Sequence, residues 1–369
     1  MKIFYCVRSL EAIPSCMYNI QMLCDGDFEV VPVIGRSTQS LDKIFASRGL
    51  KYISTVNKGS KNKYINHFQL TSQYRKNIKT ALKEYTDEDL IIFGTADSAI
   101  RVMQLLKNKN YVLCLKELHE NPWYFPILLK KLSKRAKGII CCEKNRSRII
   151  QFRWGLKKRP YTITNKPYGY QTERYLEPTT DQTKELVEKI KDKKVIVYQA
   201  RHIHFAEELI NLAKALKKLN SDITLVLIGT VDHPEDREKI DGIYGNTVWT
   251  GHISAPMHLE ITSYAKIGVA VYAENSLNNM FCAPNKTFEY AGFGIPSLCN
   301  DVPGLVESIG MSGAGKCVDW SNVDEIKMAI DDILSDYDEY SERAKSFYES
   351  EDNATAIKEI VNEILREMK

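Results

Sequence analysis

Short apolar runs and longer stretches with three- and four-residue apolar spacing alternate along the whole chain. In the first half the runs fall at 2–7, 30–34, 52–56, 90–93, 111–115, 138–142 and 161–165, rich in β-branched and aromatic residues. Runs of that length and make-up predict strands. Between them, 17–23, 125–137 and 145–152 have helical spacing. The second half repeats the alternation, with strands predicted at 195–198, 223–228, 248–253 and 267–272 and another after Pro296. Leu209, Leu212, Ala213, Leu216 and Leu219 mark one helix face there, 257–265 continues as helix, and 325–369 reads as helical and acidic. Strands that alternate with helices predict doubly wound parallel sheets, an α/β fold.

Charge divides what hydropathy leaves continuous. Residues 1–170 hold 30 Lys and Arg against 13 Asp and Glu, a net +17, and the remainder carries −13. A length of 369 residues suits two domains, and the charge places the boundary near 170, giving domains 1–170 and 171–369. The stretch 172–194 reads as linker and a short helix. No run approaches the roughly 20 apolar residues that cross a bilayer. The apolar start is broken by Arg8 and Glu11, so it reads as a strand and not a signal peptide. Nine cysteines, with no CxxC pair, lie mostly inside apolar runs. That usage predicts reduced thiols in a cytoplasmic protein, with neither a zinc site nor a disulfide framework.

The stretch 270–305 carries the chemistry. A strand leads to a polar loop with Asn275, Asn278 and Asn279, then to Ala283, Pro284, Asn285 and Lys286 and a helix that starts near Thr287. A helix N-terminus offers unpaired N–H groups and a dipole that favours an anion. Lys286 adds a full positive charge, and Glu289, in the first turn, can accept from a vicinal diol such as a ribose. Phosphate donors and a diol acceptor on one turn suit a nucleotide diphosphate. The competing reading is an ordinary loop and helix of an α/β domain.

The segment APNKTFEYAGFGIP at 283–296, with DVPGL at 301–305, resembles the donor motif of GT-B fold glycosyltransferases, in particular the retaining family-four group. The resemblance implies two Rossmann-like domains facing a central cleft. The first would hold the acceptor and the second the nucleotide sugar, with the last helix packing back on the first domain. It implies that His119, in the segment 116–122 after a strand, faces the donor sugar, and that Tyr161 to Asn165 with Pro167 closes the first domain. Arg201 matches the arginine that holds the diphosphate, while the expected lysine is missing, so His202 or His204 stands in for it. The turn of Gly251, His252 and Ile253 lies beside the nucleobase.

Two departures stand out: residues 8–15 lack the family's glycine pair, and Phe281 stands where many relatives have a first glutamate eight positions before Glu289. Asn278 or Asn279 is left to bond the sugar, with Glu274 the nearest upstream acid. No acidic pair of the DxD kind ends a strand, so neither metal nor cofactor is expected. Retention of configuration rests on the resemblance alone.

In 125–137, Leu128, Leu129 and Leu132 form an apolar stripe among Lys130, Lys131, Lys134 and Arg135. A second basic stretch, 58–83, is interleaved with Tyr64, Phe68 and Tyr74. This composition suits an interfacial helix on anionic lipid, or a domain helix with a solvated basic face. The leading expectation is a hexosyltransferase-like enzyme that moves sugar from a nucleotide-diphosphate sugar to a glycan or polyprenyl-linked acceptor. It would act in bacterial cell-surface polysaccharide synthesis, in the cytoplasm or peripherally on the inner membrane face. The alternatives are a sugar-nucleotide epimerase or hydrolase on the same fold, or a non-catalytic sugar-nucleotide-binding subunit. A nucleic-acid partner is not expected, because no recognition motif accompanies the basic half.

Overall fold

The structure, a computed structural model, describes the chain except at Ala12, Asn57, Lys58, His204, Phe205 and Lys369 and at the side chains of Ala206 and Glu207. The chain divides into two units: Met1–Gly169 with Asp352–Lys369, and Tyr170–Glu351.

In the first unit the strands are β1 (Ile3–Val7), β2 (Val30–Ile34), β3 (Leu90–Phe93), β4 (Tyr111–Leu115), β5 (Gly138–Cys141) and β6 (Tyr161–Thr162). They form one parallel sheet in the order β2-β1-β3-β4-β5-β6. The first four are buried at every position, as expected of parallel strands with helices on both faces. The strand expected at 52–56 is reduced to one bridge, Ile53 to Val33. Ile53 donates to Pro32 O at 2.8 Å and accepts from Ile34 at 2.9 Å. Pro32 has no N–H for the carbonyl before this bridge, and after it the Asn77 amide donates to Ile34 O at 2.8 Å, the acceptor the next ladder bond would use, so pairing stops on both sides.

The chain's last helix, Asn353–Met368, belongs to this unit and packs on the helix Pro14–Asp25. Its Ile364 meets Gly138 of β5 so closely that a Cβ there would lie 2.6 Å from the Ile364 methyl. Lys158 Nζ fastens the far end to Glu363 and Glu367 at 2.6 and 2.9 Å.

In the second unit the strands are β7 (Lys194–Ile203), β8 (Ile223–Val231), β9 (Thr247–Gly251), β10 (Ile267–Ala270), β11 (Ser297–Asn300) and β12 (Gly315–Val318). All are parallel, in the order β12-β11-β10-β7-β8-β9. The order reverses direction between β7 and β10, as it does in the first unit between β1 and β3. Ligands in open parallel sheets bind beyond the carboxyl ends of the strands at such a switch point.

β7 runs five residues past its expected end. After an irregularity between Gln199 and His202 it pairs again, His202 with Thr230 and Ile203 with Val231. Arg201 and His202 therefore stand on an extended strand end and not in a loop. His204 lies outside the described residues.

The helix Tyr124–Ser133 corrects the reading of its apolar stripe. Leu129 and Leu132 are 0% and 4% exposed, and the Tyr111 hydroxyl donates to Leu132 O at 2.8 Å. Leu129 and Leu132 of the stripe are buried within their own unit, with Leu128 half-buried, which is where an amphipathic helix beside a sheet gains most. The exposed apolar residues of this segment are instead Trp123, Tyr124 and Ile127, while Lys130, Lys131, Lys134 and Arg135 remain at the surface.

Candidate active site

At the switch point of the second unit, β7 delivers Tyr198 and Gln199 and β10 leads into Tyr272. Tyr272 is held by Asn300 of β11, whose side chain accepts from its N–H at 3.1 Å and donates to its carbonyl at 2.8 Å. The polar stretch that follows is not an open loop. Ser276 accepts from the Asn279 N–H and starts the short helix Leu277–Met280. A serine placed at that cap position, followed by apolar Leu277 and Met280, is enough to favour one turn.

The main helix of the site is Asn285–Gly292. It begins two residues before Thr287, because Pro284 takes the cap position with an extended backbone. Glu289 is therefore in the second turn. No side chain caps this helix start, and the Thr287 hydroxyl donates back to Pro284 O at 3.0 Å. The DVPGL segment packs against the same turn. A Cβ on Gly304 would lie 2.6 Å from Cys282 O, so only glycine lets the two backbones approach.

Glu289 is the centre of a hydrogen-bonded group. Its Oε2 accepts a short hydrogen bond from Gln199 Nε2, and His258 Nε2 stands 3.4 Å away. The Thr262 hydroxyl donates to Gln199 Oε1 at 2.8 Å, which fixes the amide so that its NH2 faces the carboxylate. The Glu289 carboxylate is only 8% exposed.

Lys286 lies one turn before Tyr290 with its ammonium over two rings, 4.8 Å from the Tyr198 centroid and 5.8 Å from that of Tyr272. Burial lowers its pKa to about 8, against the pull of Glu289 in the other direction. The full, invariant charge expected of it becomes a charge that is largely present at neutral pH and lost just above. A depressed amine keeps its proton below its own pKa, so any step that needs the cation weakens as pH rises through about 8. We expect kcat/KM to fall above that pH, and the Lys286→Arg variant to stay flat to pH 10. A flat wild-type profile over that range would remove Lys286 from the reacting group.

The remaining expected residues spread around this centre. Arg201 is exposed and has no ion pair among the described residues. His202 Nδ1 faces Asp232 Oδ1 at 3.0 Å, a carboxylate that would oppose a phosphate, so it is a poor replacement for the missing lysine. Gly251 ends β9 at φ +70° with His252 exposed beyond it, and Ile253 enters the core cluster that holds Val197 and Tyr290. The amide of Asn279 is engaged by Asn275 at 2.8 Å. The group hydrogen-bonded to Glu289 contains Gln199, His258 and Thr262 among the described residues, and neither Arg201 nor the Asn278–Asn279 pair. Gln199, His258 and Thr262 escaped sequence reasoning. Only the carboxyl-end position of Gln199 on an apolar strand was a signal.

His119, in the first unit, follows β4 with φ +51°, a left-handed conformation uncommon for a residue with a side chain. Its Nδ1 is 4.0 Å from Glu117 Oε2, too long for a hydrogen bond, and its buried Nε2 has no partner. Burial lowers its pKa, so the ring is neutral at pH 7. A neutral imidazole with one vacant nitrogen is equipped to hydrogen bond a ligand and is not held by a carboxylate as a general base.

Residues 180–354 match the family model of glycosyl transferases group 1, which covers nearly all of the second unit. HepE of Anabaena, solved with UDP, aligns over 100% of both chains with a TM-score of 0.70 at 14% identity. The glycosyltransferase of Rickettsia africae ESF-5 covers 100% of this chain and 98% of its own at 0.71 and 16%. Sucrose-phosphate synthase of Thermosynechococcus elongatus covers 99% and 98% at 0.70 and 17%. The chain has the GT-B fold, and its second unit matches the glycosyl transferases group 1 family. A search of curated proteins returned no match. The family match spans β7 to β12, and hence Gln199, Lys286 and Glu289 together. No described helix is long and apolar enough to cross a membrane.

Proposed function

We propose that the transferase takes a nucleotide-diphosphate sugar in its second unit and passes the glycosyl group to a glycan or lipid-linked acceptor. The observation that carries this is the placement of Glu289, Lys286 and an uncapped helix start together at the β7/β10 switch point. Glu289 keeps Oε1 for the ribose hydroxyls while Gln199 holds Oε2. The helix N–H groups, Lys286 and Arg201 stabilise the diphosphate as it departs, where preorganised charge acts most strongly on rate. These cations take the part a metal would play, so transfer proceeds in EDTA. His119 bonds a sugar hydroxyl through Nε2. HepE has been solved with UDP and with UDP-glucose, which makes uridine nucleotides the first donors to try.

The family resemblance favours retention of configuration and a role in bacterial cell-surface polysaccharide synthesis. A mass-spectrometric screen of nucleotide sugars against free and lipid-linked sugar acceptors tests the reading. A glycosylated product supports it. Donor turnover without an acceptor product overturns transfer in favour of an epimerase or hydrolase.

The basic half suits a peripheral position on the inner membrane face. Each Lys or Arg near an anionic surface is worth about 1 kcal/mol, screened by salt. The protein should float with anionic vesicles at low salt, less at high salt, and not with neutral ones. Changing Lys130, Lys131, Lys134 and Arg135 to Glu should abolish flotation without altering nucleotide affinity. A wild-type protein that stays in solution at low salt removes the membrane from this account.

A further inference from the structure

The switch point of the first unit, between β1 and β3, opens into a cavity of about 550 Å³. Its walls come from the segment after β1, the segments after β3 and β4, and the start of the helix Lys63–Glu84. Its charge is mainly positive. Lys63 and His67, one helical turn apart, line it, and neither side chain has a partner among the described residues. Arg8 and Lys116 also line it. Of the facing acids, Asp97 is already shared by Arg8 at 2.7 Å and Arg101 at 3.0 Å, and Glu117 is mostly exposed. The helix that carries Lys63 and His67 is fixed from behind by Arg36, which donates to Asn66 at 2.9 Å and to Gln73 at 3.1 Å. Lys63 and His67 thus line the cavity with no partner among the described residues.

Exposed aromatic side chains adjoin the lining residues on two of its walls. One residue round the helix from Lys63 and His67 stand Tyr64 and Phe68, 86% and 75% exposed. On the other wall a run of rings leads out of the cavity. His119 lies 5.9 Å from Phe125, Phe125 lies 5.5 Å from Tyr124, and Tyr124 lies 6.0 Å from Trp123, which is 76% exposed. A cationic cavity bordered by solvent-facing aromatics on two separate elements matches a ligand with an anionic head and a hydrocarbon tail.

We propose that this cavity recognises the acceptor by a phosphate group bound to Lys63 and His67, with an attached hydrocarbon chain lying on Phe68 and Trp123. This rests on the transferase reading above and narrows its acceptor to an amphiphilic phosphate or diphosphate. It also assigns the specificity for that acceptor to residues outside the donor site.

The test uses the full chain and farnesyl phosphate below its micellar concentration, beside farnesol, inorganic phosphate and glucose 6-phosphate. Calorimetry should show farnesyl phosphate binding at least tenfold tighter than any of the other three. Tryptophan emission should shift to the blue on binding, and the shift should vanish in Trp123→Phe. The surface variant Lys63→Ala with His67→Ala should weaken farnesyl phosphate at least tenfold. Phe68→Ser with Trp123→Ser should bring its affinity down to that of glucose 6-phosphate. Equal binding of farnesol overturns the phosphate site. Equal binding of glucose 6-phosphate or inorganic phosphate overturns the hydrocarbon track and marks a water-soluble acceptor. No binding of farnesyl phosphate overturns the whole proposal. UDP calorimetry on the same samples separates the two readings. UDP bound without farnesyl phosphate sinks only this site, and farnesyl phosphate bound without UDP sinks the donor assignment.

Discussion

Lys286→Ala will slow transfer by about 10²–10³-fold at saturating donor while changing donor affinity far less. The ammonium is positioned in advance, over the Tyr198 and Tyr272 rings and beside an uncapped helix start. It therefore needs little rearrangement when the leaving diphosphate gains charge. Removing one preorganised donor of that kind costs about 2.7–4 kcal/mol in the transition state. A ground-state contact would raise KM and leave kcat alone, so the kcat-against-KM split identifies the role. Lys286→Arg should recover part of the rate, since charge matters more than the shape of the head group. A Lys286→Ala enzyme with wild-type turnover would show that the diphosphate leaves without it.

Glu289→Ala should lower nucleotide affinity tenfold or more. A charged hydrogen bond is worth about 1.5–3 kcal/mol, and this carboxylate is nearly buried and already aimed by Gln199. Its loss also strands the Gln199 amide, which has no second acceptor in the group. Gln199→Ala should therefore cost less than Glu289→Ala, and the double variant less than the sum, because both act through one carboxylate. Calorimetry with UDP and with the uridine nucleoside separates ribose from phosphate contacts: Glu289→Ala should weaken both. Unchanged affinity for the nucleoside would mean that the ribose binds elsewhere and that Glu289 serves only to hold Gln199 and His258 in place.

Much of the architecture was legible in the hydrophobic pattern. β2, β3 and β4 fall at the expected residues because strands buried on both faces need uninterrupted apolar runs, and little else in a water-soluble α/β chain looks like that. The strand expected at 52–56 failed for a reason periodicity does not carry: a strand exists only if its neighbour can pair, and Pro32 lacks a donor on one side of the single bridge while Asn77 takes the Ile34 carbonyl on the other. The Leu128, Leu129 and Leu132 stripe was read correctly as apolar, but an apolar stripe does not say which surface covers it. Its own unit covered Leu129 and Leu132, and the aromatics that precede them were left outside.

The chemistry divides in the same way. Lys286 and Glu289 lie in one continuous segment, where local order of residue types was enough to single them out. What a segment cannot show is which distant side chains close around it. Gln199 and His258 reach Glu289 across separations of 90 and 31 positions, Thr262 reaches Gln199 across 63, and Lys63 and His67 meet His119 only as walls of one cavity. The lowered pKa of Lys286 belongs to that level too, since it is set by how much water the neighbouring rings exclude. Sequence by itself determined which elements form and which segment carries the lysine, carboxylate and helix start proposed to anchor a nucleotide diphosphate, because both depend on residues near one another in the chain. Only the tertiary structure decided which side chains orient the anchor, how strongly its lysine is charged and which apolar groups stay exposed, because desolvation and pairing are properties of neighbours in space.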